Sequence, residues 1–285
     1  HKVIPDGVLL VVGCSPPSTI FDSPALDTDM DIVGAARITL TLASDMPQAQ
    51  IAVRLNHIHP DGAATRITYG VLNLSHRTAA EAPAPMTPGA PTEVSFTLDH
   101  IAYRVPAGHR LRVSISDAYW PLIWPSPHPT RLSLSKGHID IPQRPTPGGD
   151  EHSFEPPTAA DPWETEELRP EGHIRRREID MTTGDITLFI EDDFGAVRDA
   201  DHGLISGSVA REAWTINPSD PLSARGQCHW TDELVRGDIS LRTEATCMMT
   251  SSATAFHLNA RIEAYENDEM IYARDIEDNI PRENL

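Results

Sequence analysis

Gln50-Ile51-Ala52-Val53-Arg54-Leu55-Asn56-His57, then Pro60-Asp61-Gly62, then Thr65-Arg66-Ile67-Thr68-Tyr69-Gly70-Val71-Leu72 is the stretch that decides the fold class. Two short runs rich in Val, Ile, Leu and Thr flank a Pro-Asp-Gly turn, the way neighbouring β-strands are punctuated. The pattern continues outward from Gly34 to Ser135. Arg37 to Leu42, Thr92 to Leu98, Arg110 to Ser116 and Thr130 to Leu134 read as further strands, with Asp45-Met46-Pro47, Pro88-Gly89 and Pro106-Ala107-Gly108 as turns. No 3.6-residue period is sustained, so the expectation is an antiparallel sandwich or jelly roll, not a parallel α/β sheet.

Beyond it the composition shifts. Pro145, Pro147, Pro156, Pro157, Pro162 and Pro170, with Gly148-Gly149 and the acidic run Glu164 to Glu167, read as a linker. Alternation resumes at Ile186 to Glu191, Ala210 to Ile216, Ser240 to Thr246, Phe256 to Tyr265 and Met270 to Asp275. In the fourth run Phe256, Leu258, Ala260, Ile262 and Ala264 share one face, predicting a strand with one side on a core. The fold class expected is all-β: a jelly-roll β-sandwich over 21–142, a Pro/Gly-rich linker over 143–171 and a second antiparallel β domain over 172–285. Residues 1–20 are a junction segment.

Forty-two Asp and Glu against 23 Lys and Arg give a formal charge of −19, which repels phosphate backbones and anionic lipid surfaces. No nucleic-acid or membrane partner is expected, and no apolar run reaches the roughly 18 residues of a membrane span. Arg175-Arg176-Arg177, followed by Glu178 and Asp180, reads as a solvated strand edge. Cys14, Cys228 and Cys247 lie far apart in sequence with no CxxC pair, so neither a disulfide framework nor a zinc site is implied, and a reducing, cytoplasmic location fits. Val11-Val12-Gly13-Cys14 resembles a lipoprotein cleavage box, but Pro5 and Asp6 leave only Val8 to Val12 as an apolar run, too short for a signal segment. Without an initiator Met, the chain reads as the interior of a longer protein.

The sequence offers residues for three chemistries. His57 and His59, at i and i+2, share a strand face, with Asp61 and His76 in reach in principle, as a cupin-like metal enzyme would require. That template also wants a Glu soon after the second His and a Gly-x-x-His on a later strand, whereas Asp61-Gly62 intervenes and Gly108-His109 are adjacent. His57 is then the end of a strand and His59 part of a turn; both are kept only as secondary metal candidates, and no metal or other cofactor is expected. Nucleophilic catalysis on an α/β-hydrolase needs a Gly-x-Ser-x-Gly elbow, which is absent. Gly203-Leu204-Ile205-Ser206-Gly207 has its Ser one place late, and Cys228 and His229, as strand neighbours, point to opposite faces. No catalytic residue is assigned. Tyr119, Trp120 and Trp124 could stack on sugars in a carbohydrate-binding module or pack against another domain, and packing is the preferred reading.

Several motifs in one order carry a family resemblance: Phe21-Asp22-Ser23-Pro24 with Leu26, Arg54-Leu55-Asn56, Pro60-Asp61-Gly62, Thr65-Arg66, Tyr69 to Arg77, Pro106 to Arg112, and Tyr119 to Pro127. From about Phe21 to Pro142 the chain resembles the X-Pro dipeptidyl-peptidase C-terminal domain of CocE/NonD hydrolases, while the segment from Lys2 to Pro17 departs from the usual entry to that domain. The part from about Gly172 is similar to a β extension of some larger members. The resemblance implies a galactose-binding-like jelly roll packed on an α/β-hydrolase catalytic domain of the same or an adjacent polypeptide. The family's Ser-Asp-His triad belongs to that other domain, so no position here inherits a catalytic role. The expected function is a non-catalytic region of an ester- or amide-cleaving serine hydrolase, with Tyr119, Trp120, Trp124, His76 and Arg77 as docking or cleft-wall residues. Self-association into a homo-oligomer through the same apolar surface is also expected. The alternatives are the carbohydrate-binding module and, third, the metal-dependent enzyme.

Overall fold

Along Arg37–Ser44 every second side chain is buried, Ile38, Leu40, Leu42 and Ser44, as alternation in a half-buried strand dictates. Along Gln50–Ile58 everything after the first residue is buried, which marks a strand covered on both faces. The computed structural model describes residues 18–144 and 153–284. Cys14, most of the 1–20 junction, and residues 145–152 of the expected linker lie outside the described residues. The chain divides into two units, His1–Glu151 with Glu283–Leu285, and His152–Arg282.

In the first unit the strands are β1 Thr19–Asp22, β2 Met30–Gly34, β3 Arg37–Ser44, β4 Gln50–Ile58, β5 Ala64–Asn73, β6 Thr92–Thr97, β7 Ile101–Val105, β8 Arg110–Ser116 and β9 Leu132–Asp140. One sheet has the order β1-β8-β4-β5, another β6-β3-β9, and β2 pairs with β7. The pairings are antiparallel, and the class is the all-β sandwich that the alternation implies. Ile38, Leu40 and Leu42 of β3 and Ile51, Val53 and Leu55 of β4 make the centre of the core, joined by Val94, Val105, Leu111 and Ile115. Gly70 and Gly137 sit where a Cβ would meet Leu98 at 2.9 Å and Leu40 at 2.5 Å, so the sandwich closes over them.

The second unit is one antiparallel sheet of eight strands: β10 Thr165–Arg169, β11 Gly172–Ile179, β12 Ile186–Asp199, β13 Ile205–Asn217, β14 Asp220–Arg236, β15 Ile239–Ser251, β16 Ala255–Glu266 and β17 Glu269–Pro281. β10 therefore falls within the stretch whose composition reads as linker, and β14 escaped the sequence reading. From β12 the sheet is a meander closed by short turns. Asn267 and Asp268, at φ 49° and 68°, join β16 to β17 with the left-handed pair that suits the twist of a hairpin. β10 and β11 lie end to end along one edge of β12, and the ladder slips between Asp193 and Ala196. Gly195 occupies that slip at φ +79°, and a Cβ there would lie 2.7 Å from the Arg169 carbonyl oxygen.

Burial in this unit concentrates on Ile186, Leu188, Ala196, Val209, Ala210, Ile216 and Ala224, in or bordering β12 and β13. Toward β17 the sheet opens to solvent. Ile262, on the face the alternation assigned to a core, is 39% exposed, and every residue of β17 is exposed. The alternation of β16 is real, but little covers its apolar side.

This contrast predicts a mutational asymmetry. Leu40→Ala removes a fully buried side chain and should cost about 2 to 5 kcal/mol in urea unfolding, whereas Ile271→Ala in β17 should change stability by no more than about 0.5 kcal/mol.

Candidate functional site

Strand β4 separates two neighbourhoods by parity. Its even residues Ala52, Arg54 and Asn56 face away from the hydrophobic core yet are buried. Asn56 donates to Ser114 Oγ at 3.0 Å and to the Arg112 carbonyl oxygen at 3.3 Å. Arg54 donates to Ser18 Oγ at 2.6 Å and Ser116 Oγ at 3.4 Å, and its guanidinium lies 5.1 Å from the centre of the Tyr119 ring. Among the described residues no carboxylate lies in ion-pair range of it, and burial lowers its pKa. The electron-rich face of Tyr119 is thus part of what makes a buried cation tolerable.

Tyr119 is held in turn: its hydroxyl accepts from Arg66 Nη1, its ring meets Tyr69 edge-on at 5.8 Å, and it is 5% exposed. Trp120 is 1% exposed and packs T-shaped on Trp124 at 5.1 Å. A ring that deeply enclosed cannot stack on a sugar, whereas Trp124 is half-buried. Arg77 donates to the carbonyl oxygens of Leu74, Ala84 and Pro85 at 2.9, 2.6 and 3.4 Å, and His76 Nδ1 meets the Ala80 carbonyl oxygen at 3.0 Å. Both side chains fasten the loop after β5.

The odd residues of β4 form the core row Ile51, Val53, Leu55, and the row ends in His57. Opposite it β8 supplies Ile115, Val113 and Leu111 in register, and Ile58 pairs with Arg110. One step further along that ladder His59 faces His109. Hence His57, His59 and His109 lie on one sheet face at the rim of the core, although His59 belongs to the β4–β5 turn and His109 to the turn before β8. The rings of His57 and His59 stack at 4.1 Å, and those of His57 and His109 are 4.7 Å apart. His57 Nε2 is 2.5 Å from His109 Nδ1, His57 Nδ1 is 2.9 Å from Tyr103 Oη, and His59 Nε2 is 3.1 Å from Thr65 Oγ1. Burial, then the neighbouring His59 and His109, hold the His57 pKa below its ordinary value, so this imidazole is neutral at pH 7.

Asp61 is not a member of the cluster: its carboxylate accepts the Ala63 amide within the turn. His76 lies at the far end of the β4–β5 hairpin, about seven strand residues, or ~23 Å, away. His109 and Tyr103 are the residues that sequence reasoning missed. The only available signal was Gly108-His109, which became meaningful once β4 and β8 were known to pair.

Elsewhere, Cys228 and Cys247, 19 positions apart in the chain, stand directly opposite each other on β14 and β15. His229 is 2.6 Å from Glu244 Oε2 and does not share a site with Cys228. Arg175 Nη2 meets both Asp192 carboxylate oxygens at 2.8 Å and Arg176 donates to Glu178 at 2.7 Å, so two of the three arginines are paired with carboxylates of their own sheet.

Fold and site together define an antiparallel β-sandwich module with an arginine and aromatic layer on one sheet face. Residues 15–155 match the X-Pro dipeptidyl-peptidase C-terminal non-catalytic domain, the family that the motifs from Phe21 to Pro142 resemble. Among curated relatives, proteins named "Putative serine esterase" from Mycobacterium bovis (strain ATCC BAA-935 / AF2122/97) and Mycobacterium tuberculosis (strain CDC 1551 / Oshkosh) are each 28% identical over 145 residues, covering 43% of this chain. The chain spans only 23% of the length of each. Similar solved structures include an α-amino acid ester hydrolase (18% identity, TM-score 0.43) and an aminopeptidase from the marine sediment archaeon Thaumarchaeota archaeon (14% identity, TM-score 0.43). Each similarity covers 45% of this chain and 26% of the other. A CocE/NonD family hydrolase from Staphylococcus aureus has 15% identity and a TM-score of 0.33, over 34% of this chain and 22% of that one. No helix among the described residues is long and apolar enough to cross a membrane.

The Arg54 environment gives a graded prediction for thermal or urea denaturation. Tyr119→Ala, which empties a buried site and bares the guanidinium, should cost about 3 to 5 kcal/mol. Tyr119→Phe keeps the ring and loses only the hydroxyl, and should cost about 1 kcal/mol.

Proposed function

We propose that this chain is a non-catalytic region of a serine hydrolase that cleaves ester or amide bonds, packing on an α/β-hydrolase domain and forming one wall of its substrate cleft. The observation that carries this is the match of residues 15–155 to a domain defined as non-catalytic and C-terminal in X-Pro dipeptidyl-peptidases. It is supported by the absence of a Gly-x-Ser-x-Gly elbow from the sequence. The names of the mycobacterial relatives favour the esterase branch.

The surface of the first unit suits a packing role. Ile20 and Phe21 on the edge strand β1 are 49% and 51% exposed, and Leu122, in the aromatic segment, is 47% exposed. Beside β1 a cleft of about 450 Å³ is lined by Phe21, Ile38, Leu40, Val113, Ile115 and Leu134. Apolar side chains beside an apolar cleft are what a partner domain covers. A wall of this kind excludes water and shapes the acyl pocket, while nucleophile, base and oxyanion hole come from the other domain.

A fluorophosphonate probe, which reacts with activated serines, tests the assignment. The purified chain should remain unlabelled under conditions that label a serine esterase to completion, and stoichiometric labelling would overturn the proposal.

A further inference from the structure

We propose that His57, His59 and His109 form a binding site for a divalent d-block cation of the zinc type, held by three neutral imidazoles and open to solvent at a fourth position. One ligand nitrogen from each residue already lies within 4.8 Å of the other two. Ligands at about 2.0 to 2.1 Å on a tetrahedral ion stand ~3.3 Å apart. The His57 and His109 nitrogens, now 2.5 Å apart, open by less than about 1 Å. His59 closes in by turning about its side-chain bonds at the rim of the sheet.

The remaining ring nitrogens are already committed in a way that fixes which atom faces the ion. The site takes the tautomers in which His57 Nδ1–H donates to Tyr103 Oη, 2.9 Å away, leaving Nε2 as the ligand, and His59 Nε2–H donates to Thr65 Oγ1, 3.1 Å away, leaving Nδ1. His109 contributes Nδ1. Ligating imidazoles normally donate their other N–H to an oxygen acceptor, which orients the ring and raises its basicity. Without a cation, the close approach of His57 Nε2 and His109 Nδ1 is satisfied by one proton lying between them. On binding, His109 passes to the tautomer that carries its hydrogen on Nε2, so the proton between the rings moves to that nitrogen and both lone pairs face the ion.

Donor type selects the ion. Three imidazoles with no carboxylate suit zinc, nickel or copper and offer little to magnesium or calcium, which favour oxygen. His57 is 3% exposed, while His59 and His109 are only half-buried, so water reaches the fourth position. The site also bridges two turns that the sheet's own ladder does not join beyond Ile58 and Arg110.

The test uses the full purified chain, stripped with a chelator and kept reduced. Calorimetric titration with Zn²⁺ should show one equivalent bound and a raised Tm, with no such response to Mg²⁺. Because His57 is buried and its replacement can disturb folding, the peripheral variants His59→Ala and His109→Ala carry the test, each checked by circular dichroism. Each should weaken Zn²⁺ binding at least tenfold, and Tyr103→Phe should weaken it about tenfold. Co²⁺ should give visible d–d bands without thiolate charge transfer. Absence of saturable Zn²⁺ binding, unchanged affinity in both histidine variants, or thiolate bands assigning the metal to Cys228 and Cys247 would each overturn the site.

Discussion

Double-sided burial of β4 is the constraint on which the first unit is built. Paired with β5 on one side and β8 on the other, its backbone groups are satisfied within the sheet, so the strand can leave solvent altogether. Parity then assigns every side chain. Ile51, Val53 and Leu55 meet Ile38, Leu40 and Leu42 across the sandwich, where burial stabilises each by about 1.5 to 3 kcal/mol. Arg54 and Asn56 fall on the other face and, being polar and buried, must find partners there. Ser114, Ser116 and the Arg112 carbonyl provide them because β8 is the neighbouring strand, and Tyr119 provides a ring because its segment folds back over the sheet. One pairing register thus sets both the apolar core and the buried polar layer. A one-residue slip of β4 would place a guanidinium in the core.

The second unit follows a different rule. Its strands run to 17 residues, yet only a few aliphatic side chains of β12, β13 and β14 are buried, so ladder hydrogen bonds and cross-strand pairs hold much of the sheet. Arg261 reaches Asp275 on β17 and Glu263 on its own strand, and Arg242 lies 4.0 Å from the centre of the Tyr265 ring. These are exposed interactions, and solvent screens them. Phe194 and Trp230 stack at 5.8 Å while remaining 47% and 40% exposed. Among the described residues of this unit nothing covers that apolar surface.

Much of this was legible in the sequence, and the failures have physical causes. Period-two alternation placed β3, β4, β5, β6 and β8 within a residue or two of their observed bounds, because each has one side or both against the core. β1, β2 and β7 were missed: they are short, and β2 and β7 draw their order from pairing with each other. β14 was missed because its run from Arg225 to Glu233 is mostly polar, its place in the sheet being set by neighbours on both sides. For the site, His57 and His59 were visible as an i, i+2 pair, but their relation to His109 depends on the register between strands separated by more than 50 residues. The same non-locality hid the juxtaposition of Cys228 and Cys247. Arg77 and His76, singled out through the family likeness, are engaged in fastening a loop, a use that no motif conveys.

The rim of the core is where both kinds of reading meet. Past Ile58 and Arg110 the ladder stops, and the two strands diverge into turns, one held locally by Asp61 accepting from Ala63, the other by the distant Asp29 accepting from Ala107. The face row that had been aliphatic for three residues can no longer be covered by the opposite layer and changes to imidazole, a side chain that tolerates partial burial when its nitrogens are engaged. Tyr103, from the small β2–β7 sheet, supplies the last contact across the gap. The arginine and aromatic layer lies on the opposite face of the same sheet, so the two neighbourhoods share a strand without sharing a side chain. The apolar cleft beside β1, lined by Phe21, Val113 and Ile115, opens on the histidine-bearing face, toward the other end of the β4–β8 ladder. Because a cation bound only by the folded sandwich stabilises it by mass action, its effect would appear as resistance of this rim to unfolding, whatever the neighbouring domain does.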